Sequence, residues 1–361
     1  MTTRTMWLSI CATLLASTAI VMGLFLMSAD LRRRQGSFIR EFPPHAIEES
    51  DTLHLTYSTY YLAGATDHTL YLANYEKPLH MISVDLGSLD TTHVTLSVKG
   101  LMEQKFWSPR VKVDSPDFYF VDGAVSRIYR GKVGAWTANR YPHDSGYYFN
   151  DVIPINPDSY ILKTISPHTL ENVLGRLQSE SPRYRYNDSI LEKQVDGRFC
   201  TEGMLHYNPG RAEILYLYRY RNEFMVMDTM LCLKYRGRTI DTTSVARIKV
   251  ADLAQAQQRV LSSPATDVNG GSAVWDNFMF VRSPILATNE PKNALREATV
   301  MDVYNLADRR YLFSFYIYHY QHNKPVEQFT IAGNKLIVLF EGVIVSFRIR
   351  ERYLAGEASD G

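Results

Sequence analysis

Glu213-Ile214-Leu215-Tyr216-Leu217-Tyr218-Arg219-Tyr220-Arg221-Asn222-Glu223-Phe224-Met225-Val226-Met227-Asp228 is the stretch on which the fold turns. Residues 214–220 and 224–228 are short runs rich in tyrosine, leucine, valine and methionine. A third run, 231–235, follows a brief polar break. Aromatic and β-branched runs cut by polar clusters read as strands and turns. The unit is an aromatic-rich strand, a turn, a second strand closing on Asp228, then a strand closing on Arg236.

The same unit recurs along the chain. Leu70, Asp85 and Lys99 mark one copy, and residues 118–130 fit it in part. Further strand-like runs fill 147–163, 278–281 and 301–349. The separations approach the roughly 40–45 residues of a four-stranded propeller blade. A β-propeller of six or seven blades is therefore expected over residues 51–352. A large β-sandwich is the alternative, and a β-helix is weaker because its period is much shorter. Closing a ring of blades also removes most exposed strand edges. Helical pattern is scarce: 169–178 and 250–261 are the two short candidates, too few for repeated parallel crossovers.

Outside this region, residues 7–27 carry no charge and have the length of one membrane span. The expected organisation is a transmembrane signal-anchor over 1–29, a linker over 30–50, the β domain, and a disordered tail over 353–361. Three arginines, 32 to 34, follow the span and tilt the orientation toward a cytoplasmic domain, though long domains can cross despite such charge. The chain has 361 residues and a formal net charge of +1, with 45% hydrophobic and 21% charged residues. That balance excludes disorder and the basic excess of a nucleic-acid binder, and the presence of only one long apolar run excludes a polytopic membrane protein. Beyond Cys11 only Cys200 and Cys232 occur. They are read as two small buried residues on strands, with a single bridge as the alternative.

No nucleophile elbow or phosphate loop is present. His319 and His322, and His143 with Asp144, fall in turns and are read as solvated, so no metal site and no cofactor are expected. The strongest local candidate is the run 193–207. Asp196, Glu202 and His206 are its weak catalytic candidates, and Arg198 joins Tyr220 and Arg221 as weak ligand-binding candidates. In a propeller this run would reach the mouth of the central channel. The plainer reading is an inner strand whose glycines allow close packing. Residues 218–223 read as a hairpin with one solvated face, and 238–242 as a turn between blades.

Phe38-Ile39-Arg40, Phe42-Pro43-Pro44, Tyr60-Tyr61-Leu62-Ala63-Gly64, Leu70-Tyr71-Leu72-Ala73-Asn74-Tyr75 and Pro78-Leu79-His80 together resemble a family of exported or membrane-anchored Bacteroidota proteins. Asp196-Gly197, Phe199-Cys200-Thr201, Met204-Leu205-His206-Tyr207, Tyr220-Arg221-Asn222 and Tyr235-Arg236-Gly237 extend the resemblance over most of 38–350. It implies a six-bladed, TolB-like or WD40-like propeller outside the cytoplasm behind one membrane segment, and implies no activity. The expectation is a membrane-anchored, periplasmic binding or scaffold protein with an envelope protein partner. An enzyme of hydrolase or lyase type, working at the central channel, stays open as the rival.

Overall fold

The structure is a computed structural model that describes residues 3–32, 35–100, 105–142, 147–181, 183–253, 258–321 and 323–354. A helix, α1 (Thr3–Arg32), comes first. The β-strands then follow in chain order, beginning with β1 (Ile47–His54). Blade I holds β2 (Tyr60–Ala65), β3 (Thr69–Asn74), β4 (His80–Asp85) and β5 (Thr91–Thr95). Next comes β6 (Ser97–Val98), which pairs in parallel with the outer strand of blade II. Blade II holds β7 (Arg110–Asp114), β8 (Asp117–Asp122), β9 (Arg127–Lys132) and β10 (Thr137–Arg140). Blade III holds β11 (Phe149–Asn156), β12 (Ser159–Ile165), β13 (Asn172–Gln178) and β14 (Tyr184–Asn187). Blade IV holds β15 (Gly203–Asn208), β16 (Glu213–Tyr218), β17 (Glu223–Asp228) and β18 (Leu233–Arg238).

A hairpin of β19 (Val250–Leu253) and β20 (Gln258–Leu261) separates blades IV and V. Blade V holds β21 (Gly271–Trp275), β22 (Phe278–Ser283), β23 (Ala298–Asn305) and β24 (Arg310–Tyr318), with a short helix, α2 (Ala294–Glu297), before β23. Blade VI holds β25 (Gln328–Ala332), β26 (Lys335–Phe340) and β27 (Val343–Ile349), and its outer strand is β1. The chain ends on α3 (Glu351–Leu354). Among the described residues the blades number six, all antiparallel within, and the ring is closed by pairing β1 from the start of the domain with β27 from its end. The result is a six-bladed β-propeller; the sandwich alternative and a seventh blade are ruled out by this pairing.

The apolar runs follow from this geometry. Successive side chains on a strand point to opposite faces. A blade has a neighbour on each face, so both sets of residues are buried and the strand reads as continuously apolar. In β16, Ile214, Tyr216 and Tyr218 pack toward blade III while Leu215 and Leu217 pack toward blade V. In β8, Phe118 and Phe120 face blade I while Tyr119 and Val121 face blade III. In β26, Leu336 and Val338 face blade V while Ile337 and Leu339 face blade I. The six main apolar clusters are thus the six blade interfaces. Each fully buried aliphatic or aromatic side chain contributes about 1.5–3 kcal/mol.

The recurring aspartate also has a local cause. Asp85 Oδ1 accepts from the backbone N–H of Gly87 and Ser88, and Asp228 Oδ1 from those of Met230 and Cys232. Such side chains turn the chain at a strand end by replacing the lost ladder partners. Close approach explains one glycine: a Cβ on Gly64 of β2 would lie 2.0 Å from the Val113 carbonyl oxygen of β7.

Several expectations are corrected. The helix expected over 169–178 is strand β13, because Asn172 to Gly175 lie buried between β12 and β14. The helix expected over 250–261 is the hairpin β19–β20, with Val250 opposite Leu261. The linker ends early: β1 starts at Ile47, and residues 35–46 strap the outside of blade V, burying Phe38 and Arg40. Tyr353 and Leu354, expected in a free tail, are buried against blades V and VI. Cys232 is exposed and Cys200 is buried in a turn, so neither is a buried strand residue; both are free thiols.

Helix α1 covers the expected anchor, and its side chains that are described are largely exposed, including Leu14, Leu15, Val21 and Leu24. Its Thr13 and Thr18 hydroxyls donate to backbone carbonyls one turn back. The side chains of residues 3–5, Leu8 and residues 25–32 lie outside the described set. Among the described residues no helix is long and apolar enough to cross a membrane, so the expected transmembrane helix gains no support from the fold.

The central channel and its ring of cross-blade ties

The inner strands β2, β7, β11, β15, β21 and β25 surround a cavity of about 600 Å³ on the ring axis. Met204 to Tyr207 line it from blade IV, Lys112 to Asp114 from blade II, and Gly270 to Val274 from blade V. Polar groups on this rim are not scattered. One set bridges each of the six blade junctions.

Between blades I and II, the Tyr61 hydroxyl accepts from the Val111 N–H at 2.7 Å. Between II and III, Lys112 Nζ lies 2.5 Å from Asp151 Oδ1 and donates to the Val152 carbonyl at 2.7 Å. Between III and IV, Lys163 Nζ reaches Glu202 Oε1 at 2.6 Å and the Gly203 carbonyl at 3.1 Å. Between IV and V, His206 Nε2 is 2.7 Å from Ser272 Oγ, and Arg219 forms a two-pronged pair with Asp267 at 3.0 and 2.9 Å. Between V and VI, Arg282 donates to the Val326 carbonyl at 2.7 Å, and to Gly270 in its own blade at 2.6 Å. Between VI and I, Gln328 Oε1 accepts from the Leu62 N–H at 2.9 Å. The circle is complete.

The depth of the channel sets the protonation of these groups. Desolvation pulls the His206 pKa down to about 4, with Asp151 opposing and Lys112 assisting. The imidazole keeps a partly exposed face toward the channel, so depth rather than full enclosure disfavours the cation. Desolvation would raise Asp151, but the Lys112 ammonium outweighs it and holds the carboxyl below its usual value. Desolvation lowers Arg282, and the Arg219 cation adds to the effect. At the lower end of the channel, desolvation and then Asp117 raise Asp114.

The sequence candidates part company here. His206 lines the channel and Glu202 stands at its rim, both as ties. Four residues of extended chain separate them, about 13 Å, so they do not converge on one reacting atom. Asp196 is not on the channel. It is buried in the loop before β15, where Oδ1 accepts the backbone N–H of Arg198 and Phe199, both at 2.6 Å. It is a turn-forming aspartate. The Arg198 side chain is exposed, and Tyr220 is half-buried beside Cys200 and Ala246.

Arg221 is fully buried, with its guanidinium 3.5 Å over the Tyr218 ring and Nη1 donating to the Glu192 carbonyl at 2.9 Å. The solvated hairpin face expected over 218–223 is therefore absent, because the long IV–V connection covers it: Asn222 N–H donates to Thr243 and Asn269 Nδ2 to Tyr218 and Arg221. His322 and residues 143–146 lie outside the described residues. Among the described residues no group of three His, Cys, Asp or Glu is placed to hold a metal ion. The sequence reading missed Lys112, Asp151, Arg219 and Arg282. Asp151 and Arg282 stood as single charges in otherwise uncharged strands, Lys112 in an alternating charged strand, and Arg219 in the polar run after β16.

Fold and rim together define a six-bladed propeller whose channel polarity serves ring closure. No protein-family model and no curated protein matches this chain. Among solved structures it is similar to a member of the DUF4221 family from Bacteroides vulgatus, at 12% identity and TM-score 0.49, covering 85% of this chain and 99% of that one. It is also similar to a virginiamycin B lyase from Staphylococcus aureus, at 9% identity and TM-score 0.48, covering 84% and 99%. A third is YCF48 bound to a D1 peptide, at 9% identity and TM-score 0.45, covering 87% and 98%.

Proposed function

We propose that this protein is a binding or scaffold platform held at a membrane, and not a catalyst. One observation carries the reading: the cationic side chains that line the channel already hold a partner across a blade junction. Lys112 pairs with Asp151, Arg219 with Asp267, and Arg282 donates to the Val326 carbonyl. A group that holds the ring together is poorly placed to bind and release a substrate at every turnover. Recognition then falls to the loops at the ends of the ring. Membrane attachment is supported by the uncharged run 7–27 and by the exposed apolar side chains of α1. Placement outside the cytoplasm, with an envelope protein as partner, rests on the family resemblance alone.

The rival reading keeps a specific observation: Asp114, with its raised pKa, lies on the channel with Tyr207, whose hydroxyl is raised first by desolvation and then by Asp114. Capture by the tagged full chain from detergent-solubilised membranes, followed by native mass spectrometry, separates the two. A protein partner retained equally by the Asp114→Asn chain supports the platform. A retained small molecule that Asp114→Asn releases overturns it in favour of a channel enzyme.

A further inference from the structure

The two ends of the ring differ. At the upper end lie the starts of the inner strands, the turns between second and third strands, and the connections between blades. Tyr60 pairs with Asn74, His80 with Thr95, and Val343 with His54 there. Exposed large apolar side chains gather at this end on different blades: Tyr57, Tyr75, Trp107, Tyr148, Leu170 and Tyr318. Trp107, at 77%, is the most exposed of all. Among the described residues, the exposed large apolar ones at the lower end are Met230 and Leu233, close together in one turn.

Charge differs more modestly. Exposed Lys77, Lys105, Arg198, Arg247, Lys249 and Arg296 lie in upper loops, with the exposed acidic residues there being Glu76, Asp188, Glu192, Glu297, Glu327 and Glu341 and further basic ones Arg140, Lys193 and Lys292. Lower turns carry Asp67, Asp90, Asp158, Glu180 and Asp308, but also exposed Lys132, Arg183, Lys234, Arg309 and Arg310. The chain also leaves α1 at the upper end. Gln35, three residues after the helix, bridges to Leu286 in the upper loop between β22 and β23, and Gly36 donates to the Leu286 carbonyl at 2.6 Å.

We infer that the upper end of the propeller is a lipid-facing surface that seats in the headgroup layer of a bilayer containing anionic lipid. The inference rests on the proposed attachment through α1, which would hold this end, and not the lower end, against the membrane. Tryptophan and tyrosine favour that layer because one part of the ring is apolar and the other meets water. Basic side chains near an anionic surface add electrostatic attraction. No single loop is apolar enough to insert. Several aromatic side chains spread over the rim act together.

The four tryptophans make the test internal. Trp7 reports α1, Trp107 reports the upper end, and Trp136 and Trp275 lie in lower turns as controls. The full chain is reconstituted into phosphatidylcholine vesicles with and without phosphatidylglycerol, carrying bromine either shallow or deep on the acyl chains. Differences between the wild type and the Trp107→Phe and Trp7→Phe chains isolate each signal.

The expected result is at least a twofold quenching of the Trp107 component by shallow bromine, stronger with phosphatidylglycerol, and none for the controls. Quenching of Trp7 without Trp107 overturns this inference and leaves the attachment standing. Quenching of Trp107 without Trp7 supports the surface and overturns the attachment through α1. Quenching of neither overturns both. Should Trp107→Phe misfold, the Lys105→Glu and Arg198→Glu chain replaces it, and Trp107 quenching unchanged by phosphatidylglycerol and by those reversals overturns the anionic preference.

Discussion

Two sets of ionic contacts hold this ring, one on the outside of blade V and one at the channel rim, and their surroundings make them unequal. On the outside, the strap residue Arg40 sits with its side chain at 0% exposure. Its Nε lies 2.6 Å from Asp302 Oδ1, its Nη2 3.0 Å from Oδ2, and its Nη1 contacts Glu290 and the Ile285 carbonyl. Ser314 also donates to Asp302 Oδ1 at 2.6 Å, and Tyr316 donates to the other Glu290 oxygen, Oε1, at 2.8 Å. Burial works against the guanidinium charge, but Asp302 and Glu290 outweigh it and the pKa rises. At the rim, Lys112 and Asp151 remain 33% and 32% exposed. Water in the channel screens them. The same chemistry is a lock in one place and a light tie in the other.

The sharpest way to break the comparison is Arg40→Met. It leaves two carboxylates buried without a counter-charge and is expected to cost about 3–5 kcal/mol in denaturant unfolding. A loss below 1 kcal/mol would put the two regions on the same footing. Because the strap leads into β1, the same substitution should also raise hydrogen exchange in β1 and β27.

The His206 tie comes next. Its folded pKa of about 4 lies below the unfolded value near 6.5, so the unfolded chain binds more protons between these limits. The contribution is fully present above pH 6.5 and is lost as pH falls toward 4. The loss is at most about 3 kcal/mol and smaller where channel water reaches the ring. His206→Gln should flatten the stability curve over that window; an unchanged acid slope would remove His206 from the rim's account.

Tyr61→Phe leaves the Val111 N–H without its acceptor at the I–II junction. A cost of about 1–2 kcal/mol is expected from thermal unfolding. Lys112→Met should have the smallest effect, under about 1 kcal/mol, and should erase part of the salt dependence of stability. A large salt-independent loss at Lys112 would mean that the rim is as dry as the strap.

These contrasts also show where the sequence was readable. The strand runs, the scarcity of helix and the closing aspartates of 70–85 and 214–228 pointed to blades, because a strand buried on both faces has no polar alternation to hide it. Blade number was not legible. Inner strands begin at Tyr60, Arg110, Phe149, Gly203, Gly271 and Gln328, and the long connections around residues 188–202 and 239–270 blur the period. A helix was expected over 169–178; what makes 172–178 a strand is pairing with β12 and β14, the hairpin neighbours on either side, and burial between them.

The fold divides the candidate cluster 193–207 among different places. Proximity in sequence suggested that Asp196, Glu202 and His206 work together. In the fold they divide between a turn, a rim tie to Lys163 and a rim tie to Ser272. Arg40, read as part of a linker, forms the most buried ion cluster described, with partners some 250 residues away.

Short apolar and aromatic runs and turn chemistry are local properties, and from them the amino-acid sequence alone determined an all-β chain built of repeated small sheets behind one uncharged N-terminal run. The number of blades, the closure of β1 on β27, the partner of every rim charge and the gathering of Tyr57, Trp107 and Tyr148 at one end were decided only in three dimensions. The physical reason is that each depends on which blade stands next to which, and bending the sheets into a ring sets residues far apart along the chain side by side.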